Sequence, residues 1–222
     1  MINNIELIKP LLNFTNEGDF YMLYIFKRKK DQPEGEKDNH QSVRTIKTYC
    51  VDSIEYLEKR YDEIIQLCEV FNARAYIHIQ KQNHKDVAMN MITEIVTRIQ
   101  SGQINQKHVF DSVVGQLKTN EKRWIVDIDT KDGTQLLSIM TAISICRPEV
   151  SDKVEAIIPT KSGFHLITKR FDVKEFEKQY PNIDIQKKNP TLLYYPNSLD
   201  LSNNNLESIK QLKDIWNENN IK

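Results

Sequence analysis

The chain has 222 residues, 39% of them hydrophobic and 28% charged, enough to bury the core of one large domain or of two closely joined subdomains. Its 31 basic residues cancel 31 acidic ones, so bulk charge calls for neither nucleic acid, membrane nor an acidic substrate, and any charge-driven binding must come from local patches. No segment approaches the roughly 18 apolar residues of a membrane span, "MINNIELIKPLL" lacks the basic and apolar regions of a signal peptide, and Cys50, Cys68 and Cys146 are widely spaced with no CxxC pair. The expectation is a cytoplasmic protein with reduced thiols, no membrane partner and no zinc.

In chain order, "DFYMLYIFKRK" (19 to 29) and "VRTIKTYCV" (43 to 51) are rich in aromatic and β-branched residues and read as strands, joined by the polar loop "KDQPEGEKDNHQS" into a hairpin. "DSIEYLEKRYDEIIQLCEVF" (52 to 71) opens with Asp52 as an N-cap and repeats apolar residues at helical spacing. "ARAYIHIQK" (73 to 81) alternates small or apolar residues against Arg74, Tyr76, His78 and Gln80, as a strand with one polar face does. Residues 84 to 118 read as two helices broken near "SGQ" at 101 to 103.

From Trp124 the pattern changes. "WIVDIDT" reads as a strand, "GTQLLSIMTAISIC" as a helix, and "VEAIIPT" and "GFHLITKRF" as strands. "DVKEFEKQY" reads as a short helix, and "IDIQK" and "TLLYYP" as strands. The order βαββαβ, with one extra strand, is that of a ferredoxin-like or RRM-like unit. "LESIKQLKDIWNENNIK" reads as a closing amphipathic helix that would pack Ile209, Leu212 and Trp216. The fold class expected is α+β, with an N-terminal α/β subdomain (1 to 120) packed on an RRM-like subdomain (121 to 222) of mainly antiparallel sheet, and a ligand cleft between them.

Three stretches stand out chemically. In "WIVDIDT", Asp127 and Asp129 share one face of a strand, their Cα atoms roughly 6.5 Å apart. They are either two aspartates at an exposed strand end or a pair that needs a cation, since an unpaired carboxylate in a central strand is costly. In "PTKSGFHLITK", a turn gathers Thr160, Lys161, Ser162, Gly163 and His165, the groups used to hold phosphate, although a polar turn beside a satisfied histidine looks the same. In "NIDIQKK", Asp184 lies between Ile183 and Ile185, followed by Lys187 and Lys188. If the first and last strands of the unit are neighbours, Asp184 approaches Asp127 and Asp129, and three carboxylates beside a phosphate-holding turn make a two-metal phosphoryl-transfer site suited to magnesium or manganese.

In their order these stretches resemble the archaeo-eukaryotic primase superfamily, which includes primase-polymerases. "WIVDIDT" is similar to its acidic pair at a strand end, "TKSGFHLI" to its small-residue-x-His hairpin and "NIDIQKK" to its apolar-Asp strand; Ser162 stands where that family commonly has arginine. The resemblance covers residues 123 to 198. It implies a metal-dependent nucleotidyltransferase that takes nucleotide triphosphates and a single-stranded DNA template. Asp127, Asp129 and Asp184 would then hold two divalent ions, and His165, Ser162 and Gly163, with Lys161 and Lys187 as further candidates, would grip the incoming nucleotide. Arg74 and "KRKK" (27 to 30) are candidates for the template backbone. GxxxxGK[ST] is absent, so a helicase or other replication protein would be a separate partner. Two rival readings remain: a haloacid-dehalogenase-like phosphatase with Asp127 as nucleophile, and a catalytically degenerate nucleic-acid-binding accessory protein.

Overall fold

A computed structural model describes residues 1–32, 43–103, 105, 108–116 and 122–196; the closing helix expected around Ile209, Leu212 and Trp216 lies outside them. Among the described residues the protein is α+β, with ten strands and six α-helices. The strands are β1 (Ile2–Asn3), β2 (Asp19–Arg28), β3 (Val43–Val51), β4 (Arg74–Ile77), β5 (Gln82–Asn83), β6 (Trp124–Ile128), β7 (Val154–Pro159), β8 (Phe164–Thr168), β9 (Asp184–Gln186) and β10 (Thr191–Tyr195). The helices are α1 (Ile5–Ile8), α2 (Ile54–Val70), α3 (His84–Gln100), α4 (Val109–Gln116), α5 (Gly133–Ile145) and α6 (Val173–Glu177). No described helix is long and apolar enough to cross a membrane, and all three cysteines are free thiols.

The strands form two antiparallel sheets. The larger runs β1-β10-β4-β2-β3, with β5 beside the start of β2; the smaller runs β7-β8-β6-β9. Strand β10, expected within the C-terminal unit, instead sits in the larger sheet between β1 and β4. All five of its residues are buried, so it lacks the alternation that would assign it a sheet from sequence.

Alternation within β2 builds both faces of the larger sheet. Tyr21, Leu23 and Ile25 meet Leu57, Ile64 and Cys68 of α2, while Phe20 and Met22 meet Val87, Val113 and Val114 of α3 and α4. Helix α2 is capped by Ser53, whose hydroxyl accepts from the Tyr56 amide, not by the neighbouring Asp52. In the smaller sheet, Val126, Ile128 and Leu166 pack under Leu136, Ile139 and Ile143 of α5 and Phe176 of α6. The opposite face turns Ile125, Ile158 and Ile167 into the main core with Ile5, Ile8 and Leu11.

Two buried polar residues fix this arrangement. The Asn4 amide donates to the carbonyls of Pro159 and Leu192, both at 2.9 Å, tying the end of β7 to β10 across the two sheets. Lys153 is fully buried, and its ammonium donates to the carbonyls of Ile143, Ser144 and Cys146, the groups that a helix leaves unpaired at its C-terminus.

Candidate functional site

Strand β6 carries the site because it is central in the smaller sheet, with one face against helices and the other facing the larger sheet. Val126 and Ile128 point to α5, so Asp127 must point the other way, into the space between the sheets. Its antiparallel partners are His165 on β8 and Asp184 on β9, and directly opposed residues share a face. Asp127 therefore stands between an imidazole and a second carboxylate, with Asp129 two residues further along.

Like charges directly opposed across a sheet repel. Burial raises the Asp127 pKa above the ordinary carboxylate value, and the charges of Asp129 and Asp184 raise it further, against a smaller lowering by Lys30 and Arg28. The Gln186 side chain relieves part of this strain: its amide nitrogen lies 2.7 Å from Asp184 Oδ2 and 3.3 Å from Asp127 Oδ2, donating to both. Gln186 shares a face with Asp184 because it lies two residues on in the same strand, a signal present in "IDIQK" but not drawn from it.

His165 is buried, and burial with a contribution from Arg28 lowers its pKa to about 4. It is neutral near pH 7, so the 3.5 Å approach of its Nε2 to Asp127 Oδ1 is not an ion pair. On the other side of the ring, Nδ1 is hydrogen-bonded to the Thr191 hydroxyl at 3.0 Å. The expected phosphate-gripping histidine is thus an uncharged group held from behind by β10 of the other sheet.

The turn between β7 and β8 closes through Thr160 N to Gly163 O at 2.8 Å and Gly163 N to Thr160 Oγ1 at 3.1 Å. Gly163 was expected to let a phosphate approach the backbone. The close approach is instead to the chain itself: a Cβ at this position would lie 1.9 Å from the Ile128 carbonyl oxygen and 2.7 Å from Thr130 N and O. The glycine locks the turn against the end of β6, on either side of Asp129.

A cavity of about 360 Å³ lies between the sheets. Asp127, Asp129, His165 and Gln186 line one side together with Thr160, Lys161 and Ser162; Phe26, Arg28, Lys30 and Tyr76 belong to the other. Arg28 donates to the Tyr76 hydroxyl at 3.1 Å. The cleft thus has an acidic wall and a basic one, the latter drawn from the "KRKK" run.

Two candidates occupy different places from those expected. Arg74 is not on an exposed face: it is buried in the cavity wall, paired with Asp31 at 2.5 Å, and its guanidinium stands 4.3 Å from the Tyr195 ring centroid. From there its guanidinium is engaged by Asp31, an aspartate that Lys161 also approaches, and is not displayed on an open surface. Lys187 is turned away from the carboxylates and stands over the Trp124 ring. Lys161 remains at the cavity, 3.5 Å from Asp31.

Among the described residues, no three His, Cys, Asp or Glu side chains form a ready-made metal cage. The donor chemistry nonetheless fits a hard cation: two carboxylate oxygens reach the same amide nitrogen, and Asp127 is destabilised by neighbours that a cation would satisfy together. No family model, curated protein or solved structure matches the chain.

Proposed function

We propose that this protein is a primase- or primase-polymerase-like nucleotidyltransferase that extends or initiates a strand on a single-stranded template. The observation that carries the reading is the Asp127–Asp184 pair directly opposed across β6 and β9, with Asp129 beside it. Supporting it, β6 and β9 are the first and last strands of a βαββαβ run, and the three stretches that resemble the primase motifs contribute Asp127, Asp129, His165 and Asp184 to one neighbourhood.

Asp127, Asp129 and Asp184 would hold magnesium or manganese. When bound, such a pair of ions lowers the pKa of an attacking 3′ hydroxyl and neutralises charge on a triphosphate. The remaining work falls to the cleft. Arg28, Lys30 and Lys161 draw a polyanion into the cavity and Ser162 offers a hydroxyl there. The uncharged His165 stands with Nε2 3.5 Å from Asp127, beside that carboxylate without cancelling the charge a metal needs.

The rival readings are less well supported. A phosphatase of the haloacid-dehalogenase type needs a parallel frame, and the smaller sheet is antiparallel throughout. A binding-only RRM stacks bases on its sheet face. Here that face is packed in the core at Ile125, Ile158 and Ile167 and acidic where it opens.

The test is incorporation of labelled nucleotide by purified protein on a primed or unprimed single strand with manganese or magnesium. Wild-type protein should form product and Asp127→Asn should not. Product formation equal in the two, or absent in both across templates and metals, overturns the proposal.

A further inference from the structure

A second cavity, larger than the acidic cleft, lies elsewhere on the smaller sheet. It is a groove of about 840 Å³ at the other end of β6, where β9 leaves the sheet. Its cations are Lys122, Arg147, Arg170, Lys187 and Lys188, against a single lining carboxylate, Asp172. In a chain of zero net charge this is the kind of local excess that composition alone hides. Trp124, Pro148 and Phe171 supply an apolar lining.

The groove is built, not merely left over. Gln80 donates through Nε2 to the carbonyls of Arg123 and Lys187, pinning β6 and β9 to the end of β4. Lys188 donates to the carbonyls of Gly115 and Gln116 and so fixes the end of α4 beside them. Lys187 holds its ammonium 5.1 Å from the Trp124 ring centroid, placing a cation and an aromatic face together. Lys122 and Arg170 are exposed.

We infer that this groove binds single-stranded DNA through its phosphates and bases. Cations around apolar and aromatic surface are what a single strand needs: charges for its backbone, faces for its bases. The location suits a strand that also passes the carboxylates. Strand β9 begins at Asp184 and runs out at Lys187, about 10 Å at 3.4 Å per residue, or roughly three nucleotide steps of a stacked strand. The inference rests on the nucleotidyltransferase reading for its choice of occupant, and the groove is distinct from the acidic cleft.

The experiment is fluorescence anisotropy of a short labelled oligothymidylate with full-length protein, in EDTA and without nucleotide, across a salt series. Wild-type protein should bind with a salt slope set by several phosphates. Lys122→Ala with Arg170→Ala should weaken binding and reduce that slope by about 1.4, near 0.7 for each contact on a single strand. Lys122→Arg with Arg170→Lys should restore both, and Asp127→Asn should bind at least as tightly as wild type. Circular dichroism confirms that each variant is folded.

No binding, an unchanged slope in the double alanine variant, or tighter binding of oligouridylate or polyglutamate overturns the inference. Strand binding that depends on Lys122 and Arg170, without nucleotide incorporation, leaves the groove and removes the catalytic reading. Incorporation indifferent to both residues removes the groove alone.

Discussion

Gly163→Ala tests whether the turn before β8 is what sets the acidic pair. The added Cβ would sit 1.9 Å from the Ile128 carbonyl oxygen, where distances under 3.0 Å are essentially never seen, and 2.7 Å from two backbone atoms of Thr130. The obstructing atoms are all main chain, so no side-chain rotation relieves the contact, and the turn and the end of β6 must part by about 1 Å. Overpacking of this kind costs about 2–3 kcal/mol, a fall in Tm of about 4–12 °C in a chain of this length. The displaced segment contains Asp129, and a shift of about 1 Å in a positioned group lowers turnover on the order of 100-fold. Thermal unfolding and nucleotide incorporation measured together should both fall. Ser162→Ala, one residue away and exposed, should leave Tm unchanged. If Gly163→Ala keeps wild-type Tm and activity, the turn does not hold Asp129 and the packing argument is wrong.

Three further outcomes follow from the buried polar groups. The folded Asp127 pKa lies above its unfolded value, so its ionised form subtracts stability above the folded pKa, and that penalty disappears in acid. Asp127→Asn should therefore raise Tm at neutral pH without divalent metal, with a gain that shrinks as pH falls through the raised Asp127 pKa and is gone below the ordinary aspartate range; a lowered Tm at neutral pH contradicts the repulsion. Asn4→Ala leaves the buried Pro159 and Leu192 carbonyls without their donor and should cost about 2–5 kcal/mol in urea unfolding, whereas a loss below about 0.5 kcal/mol would mean that the inter-sheet tie is redundant. Lys153→Met keeps the apolar stem but removes the donor to three carbonyls at the end of α5, so stability should drop by about 2–4 kcal/mol despite the more hydrophobic residue; an equal or higher midpoint would refute the capping role.

How far the sequence reached depended on the range of the physics involved. Local periodicity located α2, the α3–α4 break and the strands from β6 to β9, because burial on one face repeats every few residues. It also put Asp127 and Asp129 on one face, and the βαββαβ order suggested Asp184 as their neighbour. What it missed was long-range. Strand β10 is buried on both faces, so nothing in "TLLYY" names the sheet it joins. The polar face of "ARAYIHIQK" is real, yet at Arg74 it turns inward to a buried aspartate that comes from the end of β2. The need for Gly163 comes from Ile128 and Thr130, far away in the chain, and the turn alone suggested a ligand instead. Gln186 was readable as the partner of Asp184 two residues on, once strand faces are followed through.

The account rests on Asp127, Asp129 and Asp184 forming one divalent-cation site, and manganese binding followed by electron paramagnetic resonance tests this directly. Wild-type protein should bind manganese, and the affinity should weaken as pH falls through the raised Asp127 pKa, above the range of an ordinary aspartate. Asp127→Asn and Asp184→Asn should each abolish most of that binding, while Lys187→Ala should not change it. Equal binding by wild type and both aspartate variants would contradict the account.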